Sequence, residues 1–328
     1  MLRKKIRDRV ELYNTQVPLE TQWFLNKRIR QCSTFEISPI HYNGRLTHCE
    51  REYFLPETAF IRTLDKYIEP VVLSYDLECL STDGGFPDAV KDPIICIGCW
   101  EGTSGVCFCW KDTPSHRSFD TEREMIQAFL KYVQDLSPDF LTGYNIDRFD
   151  NTYLEERCKQ LNISWKWSRI RGHVSKVRHV TSSSNQKGTQ EQYRLDIPGV
   201  VAVDAYVIMR GQHNLARYSL EAVAQQFLGT GKDDMPYDQI PIKFENAEGR
   251  KEIADYCVKD AKLVIDLMAH LKKIINLVQM AKVTGCSPTD IVQRGQGIRT
   301  VTLMLDYCHE DHIFIPGSSQ TSKGFKGA

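Results

Sequence analysis

Residues 71–78 read Val-Val-Leu-Ser-Tyr-Asp-Leu-Glu, a β-rich apolar run that closes on two carboxylates. Strand side chains alternate, so Asp76 and Glu78 point to one face and Leu77 to the other. Two neighbouring carboxylates repel unless a cation joins them. A hard divalent ion such as Mg²⁺ or Mn²⁺ takes oxygen ligands, and two ions about 4 Å apart can clamp the attacking water and the leaving oxygen of a phosphodiester. A D-x-E pair alone is weak evidence, because surface strands carry such pairs often.

Residues 93–101 and 105–110 are further β-rich runs set off by Gly, Pro and Asp turns, and three strands in succession predict a meander. Residues 121–135 read as a helix with Met125, Ile126, Phe129, Leu130 and Val133 at helical spacing and Ser118 and Asp120 as cap candidates. A short strand at 140–144 and a helix at 150–161 come next. Beyond an apolar segment at 200–210, helices are expected at 217–228 and, as one long stretch stopped by Gly285, at 247–284. Strands first and helices after predict an α/β layered domain with a mixed sheet. Residues 1–65 mix charge and aromatics without a strong period and read as the edge of a separate domain.

Two more segments offer carboxylates. In Gly143-Tyr144-Asn145-Ile146-Asp147-Arg148-Phe149-Asp150 a strand turns into a helix, where an aspartate can be an ordinary N-cap, and Asp147, inside the turn, suits that role better than Asp150. In Tyr256-Cys257-Val258-Lys259-Asp260 the i,i+4 spacing puts Tyr256 and Asp260 on one helix face. The bland reading is a core-edge tyrosine with an exposed aspartate.

Composition removes several classes. Lys plus Arg and Asp plus Glu both total 42, so any nucleic-acid contact rests on local patches rather than on a global field. No run of 18 apolar residues and no charged-then-apolar leader occurs, so neither a membrane span nor secretion is expected, and the chain reads as intracellular. Eleven scattered cysteines suit reduced thiols. Cys96, Cys99, Cys107 and Cys109 resemble a zinc set, but on a strand Cys96 and Cys99 face opposite ways and cannot share one tetrahedral ion. Cys308, His309, Asp311 and His312 read as an exposed helix end. No Gly-rich phosphate loop is present.

Between Arg157 and Gln190 there are eight Lys or Arg and no Asp or Glu, with Trp165 and Trp167 interleaved. This is a solvated hairpin or loop, or a surface that tracks a phosphate backbone and stacks bases.

Taken in order, D-x-E, N-x₃-F-D and Y-x₃-D resemble the three exonuclease motifs of the DEDDy domain in family-B DNA polymerases. The words Val72-Leu73-Ser74-Tyr75-Asp76-Leu77-Glu78-Cys79, Thr142-Gly143-Tyr144-Asn145, Tyr218-Ser219-Leu220, Tyr256-Cys257-Val258-Lys259-Asp260-Ala261 and Arg294-Gly295-Gln296 are similar to delta-type and large-DNA-virus members. The resemblance runs from about Arg9 to the end. It implies a ribonuclease-H-like mixed sheet flanked by helices. Residues 1–65 would be part of the polymerase N-terminal domain, 66–284 the 3′→5′ exonuclease, and 285–328 the link toward the palm.

Carried over residue by residue, the resemblance implies that Asp76, Glu78, Asp150 and Asp260 hold two Mg²⁺ or Mn²⁺ ions while Tyr256 orients the attacking water. Asn145 and Phe149 would shape the pocket, and Phe86 would wedge at the primer end. Arg169, Arg171, Lys176 and Arg178, in or near the family's β-hairpin, would contact DNA together with Tyr218 and Ser219. The implied partners are a single-stranded or frayed primer 3′ end and a sliding clamp or accessory subunit. The implied location is the nucleus or a viral replication site. The polymerase strings D-x-x-S-L-Y-P and Y-G-D-T-D-S do not occur, so nucleotide addition is not expected from this piece, which reads as a fragment, an engineered piece or a split gene product. Two alternatives stand beside this reading: a silent DNA-binding or interaction module, and a free-standing DEDD exonuclease in repair.

Overall fold

The structure is a computed structural model that describes residues 17–38, 40–41, 44–56, 58–184, 188–231 and 235–313. The start of the N-terminal segment at 1–16, residues 314–328 of the link expected toward the palm, and residues 185–187 of the basic stretch lie outside the described residues.

In chain order the elements are α1 (Leu19–Lys27), β1 (Thr34–Ile37), β2 (Ile40–His41), β3 (Tyr53–Phe54), β4 (Ile61–Leu64), β5 (Val72–Cys79), β6 (Ile94–Glu101), β7 (Ser104–Trp110) and β8 (Arg117–Phe119). Next come α2 (Glu122–Leu136), β9 (Phe140–Gly143), α3 (Asp150–Gln160), β10 (Lys176–Ser184), β11 (Gly188–Asp196), β12 (Val201–Asp204), α4 (Ala205–Gln212) and α5 (Leu220–Leu228). The remaining helices are α6 (Ile240–Phe244), α7 (Ala247–His270), α8 (Lys273–Thr284), α9 (Pro288–Gln293) and α10 (Gln296–Glu310).

These elements fall into two compact units: the described residues within Met1–Ser38, Glu57–Ile68 and Ile275–Ala328 form one, and those within Pro39–Pro56 and Glu69–Ile274 form the other. In the first, β1 and β4 pair antiparallel, with Thr34 opposite Leu64. Ala281, Cys286 and Ile291 make a small core there, and Gly285 stops α8 in the left-handed region at φ 67°.

The second unit is built on a six-stranded sheet of order β12-β9-β5-β6-β7-β8. The predicted meander is present as the antiparallel pairs β5–β6 and β6–β7, and β9 and β12 add in parallel beside β5. Alternation divides β5 between two environments. Leu73, Tyr75 and Leu77 are buried against Met125, Ile126, Phe129 and Val133 of α2 and Leu154 of α3. Each such side chain contributes roughly 1.5–3 kcal/mol by leaving water. The opposite face of the sheet receives α7 through Ile253, Ala254 and Cys257, which pack on Ile95, Cys96, Cys107 and Cys109.

Several local expectations shift. The cap of α2 is Thr121, not Ser118 or Asp120: its side chain accepts from the Glu124 N–H while Glu124 reaches back to the Thr121 N–H, a capping box. Ser118 lies on β8 and bonds to Thr113. The long helix expected at 247–284 is two helices, α7 and α8, divided at Lys272, which takes φ 51°. The apolar segment at 200–210 is a strand followed by a helix. Trp165 and Trp167 are 2% and 3% exposed and pack edge to face inside the core, so they offer no surface on which bases could stack.

Candidate active site

Asp76 pairs across the sheet with Gly98 and Glu78 with Cys96. Gly98 is the reason α7 can lie close beside Asp76: a Cβ there would come 2.5 Å from the Cys257 carbonyl carbon and 2.6 Å from the Val258 nitrogen. The Gly98 N–H donates to Cys257 Sγ at 3.1 Å, and that thiol donates to the Asp76 carbonyl at 3.3 Å. The helix is thereby fixed on the sheet with Tyr256 and Asp260, both buried, one turn apart.

Asp150 arrives from the other side of β5. β9 pairs with β5 at Val72, Leu73 and Ser74, so β5 runs on past its parallel neighbour. The Leu77 N–H donates instead to Asp150 Oδ1 at 3.1 Å. Asp150 is 2% exposed, and burial, together with the charge of Asp204, pushes its carboxyl up to about 7.

The turn that delivers Asp150 is held by Asp204, a residue outside all three motifs. Its carboxylate is 2% exposed and accepts from the N–H groups of Asn145 at 2.9 Å, Asp147 at 3.1 Å and Tyr206 at 2.8 Å. Asn145 sits at φ 62°, a left-handed conformation that asparagine tolerates better than most residues. Asp147 does not cap α3. The cap position is Phe149, with no side-chain cap bond, and Asp147 Oδ1 accepts from Asn151 Nδ2 at 3.4 Å. Asn151 in turn accepts from the Tyr75 hydroxyl at 2.5 Å, linking the turn to the core of β5.

The electrostatics are those of crowded, desolvated carboxylates. Burial first, then the adjoining Cys257 side chain and the negative charges of Asp150, Asp260 and Glu78, raise Asp76 well above the usual carboxylate range. Among the described residues, ligand atoms of Asp76, Glu78 and Cys257 all lie within 4.8 Å of one another. An Asp76 carboxyl that resists ionising, with Glu78 beside it and Asp150 and Asp260 near enough to act on it, suits hard divalent cations, whose charge reverses the penalty. The thiol is a soft donor added to this oxygen set, and no spacing rule pointed to it.

Asp76 and Asp260 line a cavity of ≈ 440 Å³ together with Tyr144, Asn145, Arg148, Tyr206, Tyr218 and Ser219. The Tyr144 hydroxyl donates to the Tyr218 carbonyl, and the Ser219 side chain caps α5 by accepting from the Ala222 N–H. Phe86, 81% exposed, meets Phe149 edge on at 5.4 Å between ring centres. The loop beneath Phe86 is folded around the buried Asp92 carboxylate, which accepts from Thr82 N, Thr82 Oγ1 and Asp88 N.

Of the basic residues, Lys176 is exposed at the base of the β10–β11 hairpin. Arg178 pairs with Asp196, Arg171 donates to the Thr47 carbonyl, and Arg169 binds the Ser137 and Pro138 carbonyls and Asp139. Arg169 is thus committed to holding the segment between α2 and β9.

Fold and site together define a polymerase-type exonuclease domain. Residues 10–223, more than half of the chain, match the family model for the DNA polymerase family B exonuclease domain, and the chain belongs to that family. More particularly, it is similar to the DNA polymerase delta catalytic subunit of Caenorhabditis elegans, 32% identical over 345 aligned residues that cover 97% of this chain and 32% of that protein. It is likewise similar to the DNA polymerase delta catalytic subunit of Glycine max, 33% identical over 280 residues, 78% of this chain and 25% of the relative. The chain therefore spans a quarter to a third of the length of these curated relatives. The family B DNA polymerase of the hyperthermophilic archaeon Pyrobaculum calidifontis shares the fold at a TM-score of 0.66 and 19% identity, over 96% of this chain and 39% of that one. No helix among the described residues is long and apolar enough to cross a membrane.

Proposed function

We propose that this domain is a metal-dependent 3′→5′ exonuclease that removes nucleotides from a DNA primer end, as the proofreading part of a replicative polymerase. The observation that carries the reading is the convergence on one cavity wall of Asp76 from a strand and Asp260 from α7, with Glu78 beside Asp76 and Asp150 bonded to the main chain between the strand pair.

Asp76, Glu78, Asp150 and Asp260 are the residues that would hold two divalent ions, Mg²⁺ or Mn²⁺, which when bound supply activation of water and neutralise charge on the scissile phosphate. Tyr256 hydrogen-bonds and orients the attacking water. Asn145 and Phe149 shape the pocket, and Phe86, standing on Phe149, wedges at the primer end. Tyr218, Ser219, Lys176, Arg171 and Arg178 contact the strand, while Arg169 stays bonded to the segment between α2 and β9. A frayed terminus is the substrate, because an unpaired nucleotide reaches a recessed carboxylate cluster without further unstacking. The products are nucleoside 5′-monophosphates. Residues 66–284 form the exonuclease, the flanks belong to the polymerase framework, and the parent protein replicates DNA in the nucleus or at a viral replication site with a clamp or accessory subunit.

The test is Mg²⁺-dependent shortening of a 5′-labelled single-stranded DNA by the chain and by an Asp76→Ala, Glu78→Ala double variant. A ladder that recedes from the 3′ end and vanishes in the variant is expected. An intact substrate after incubation with the folded, metal-supplied chain would leave a DNA-binding module without nuclease activity.

A further inference from the structure

We infer that Tyr206, backed by Arg210, is a stacking shelf for an unpaired nucleobase of the strand whose end lies at Asp76 and Asp260, an inference that rests on the exonuclease reading above. Three residues of the cavity wall are tyrosines: Tyr144, Tyr206 and Tyr218. Two of them are fixed by main-chain bonds. The Tyr144 hydroxyl donates to the Tyr218 carbonyl, while the Tyr218 hydroxyl donates to the His213 carbonyl at 2.7 Å and accepts from the Leu215 N–H at 3.0 Å.

Tyr206 stands between them and is differently held. It meets Tyr144 at 5.7 Å and 73° and Tyr218 at 6.5 Å and 81°, edge contacts rather than parallel stacks. Its hydroxyl accepts from Arg210 Nη1 at 3.1 Å, one helical turn on, and the guanidinium lies 5.8 Å from the Tyr206 ring centre and 5.4 Å from that of Tyr218. A half-buried aromatic ring flanked by a cation, on the wall of a cavity that also holds carboxylates, is poorly explained as core packing. It matches the chemistry that grips single-stranded nucleic acid, in which bases of any sequence stack on aromatic faces and guanidinium groups add cation–π attraction.

The shelf is also built in register with the reacting end. Asp204 Oδ1 accepts from both the Tyr206 N–H and the Asn145 N–H, so one carboxylate oxygen ties the start of α4 to the turn that delivers Asp150. A base seated on Tyr206 is thereby held at a fixed offset from the carboxylate cluster. Stacking of this kind selects an unpaired strand, because a base inside a duplex has both faces covered.

The experiment uses the 328-residue chain. A short single-stranded DNA carrying 2-aminopurine at its 3′ end is titrated in Ca²⁺ without Mg²⁺, with wild type, Tyr206→Ala and Tyr206→Phe compared, and a thermal melt establishes that each variant folds. Wild type and Tyr206→Phe are expected to quench the probe, and Tyr206→Ala to bind at least about fivefold more weakly with the quench reduced, the lower limit for loss of one aromatic–base stack. Equal affinity and quench in wild type and Tyr206→Ala overturns the shelf, as does a Tyr206→Phe variant that loses as much as Tyr206→Ala. Mg²⁺-dependent cleavage by wild type, measured separately, keeps the two readings apart. A wild type that fails to cleave while the alanine variant still loses the stack overturns the exonuclease and leaves the shelf standing. A wild type that cleaves while the alanine variant binds normally does the reverse.

Discussion

The N–H of Leu77 donates to the carboxylate of Asp150, so the peptide between the two acidic residues of β5 is bonded directly to the third acidic residue, which comes from α3. The same group therefore serves the backbone and the proposed chemistry. Asp150→Asn keeps an acceptor oxygen and removes the charge. It is expected to fold with a near-normal melt and to lose at least about a hundredfold in nuclease rate, since metal-borne stabilisation is worth several kcal/mol. Asp150→Ala also strands a buried N–H and should cost about 1–3 kcal/mol in denaturant unfolding.

Gly98 sets the distance between α7 and Asp76. A methyl at this position meets main-chain atoms of Cys257 and Val258 at 2.5–2.6 Å, and main chain within a helix cannot swing aside. Gly98→Ala should therefore destabilise by about 1–3 kcal/mol, the range for overpacking, and should depress nuclease activity further than the stability loss accounts for. Urea unfolding and a rate measured well below the melting temperature separate the two effects.

Arg157 and Glu122 form a buried ion pair, each side chain 8% exposed. Glu122 also accepts from the Ile94 N–H, and Arg157 donates to the carbonyls of Ala89 and Val90 in the loop that carries Phe86. Removing one partner leaves an uncompensated charge, so Arg157→Ala is expected to cost about 3–5 kcal/mol in equilibrium unfolding.

Asp147 gives the metal-free chain a pH dependence. Burial and the charge of Asp204 raise its carboxyl to about 8, whereas in the unfolded chain it titrates near 4. The folded protein thus keeps a proton that the unfolded chain releases. This contribution to stability is complete below about pH 4 and is lost as the pH rises through about 8. Unfolding midpoints measured across that window in the presence of a chelator should fall, and should fall less steeply in Asp147→Asn.

Tyr256→Phe removes only a hydroxyl from a buried position on α7. If that hydroxyl orients the attacking water, the turnover rate should drop about a hundredfold while the Mg²⁺ requirement and DNA affinity stay near those of wild type. A single-turnover time course at saturating DNA reads this directly.

By itself the sequence determined the features that local periodicity encodes. Alternation along 71–78 placed Asp76 and Glu78 on one face, i,i+4 spacing joined Tyr256 to Asp260, and apolar spacing outlined α2, because each pattern is complete within a few residues. Tertiary structure decided the rest. Asp204 meets Asn145 across 59 positions, and Cys257 reaches Asp76 across 181, separations at which no repeat in the chain announces a partner. Gly98 reads in sequence as an ordinary strand glycine; only the arrival of α7 shows that a side chain is forbidden there. Composition likewise marked 157–190 as a basic, aromatic surface, yet both tryptophans are buried and Arg169 is spent on carbonyls. Charge and ring type state what a side chain can do, and only packing states which of its possible partners it meets.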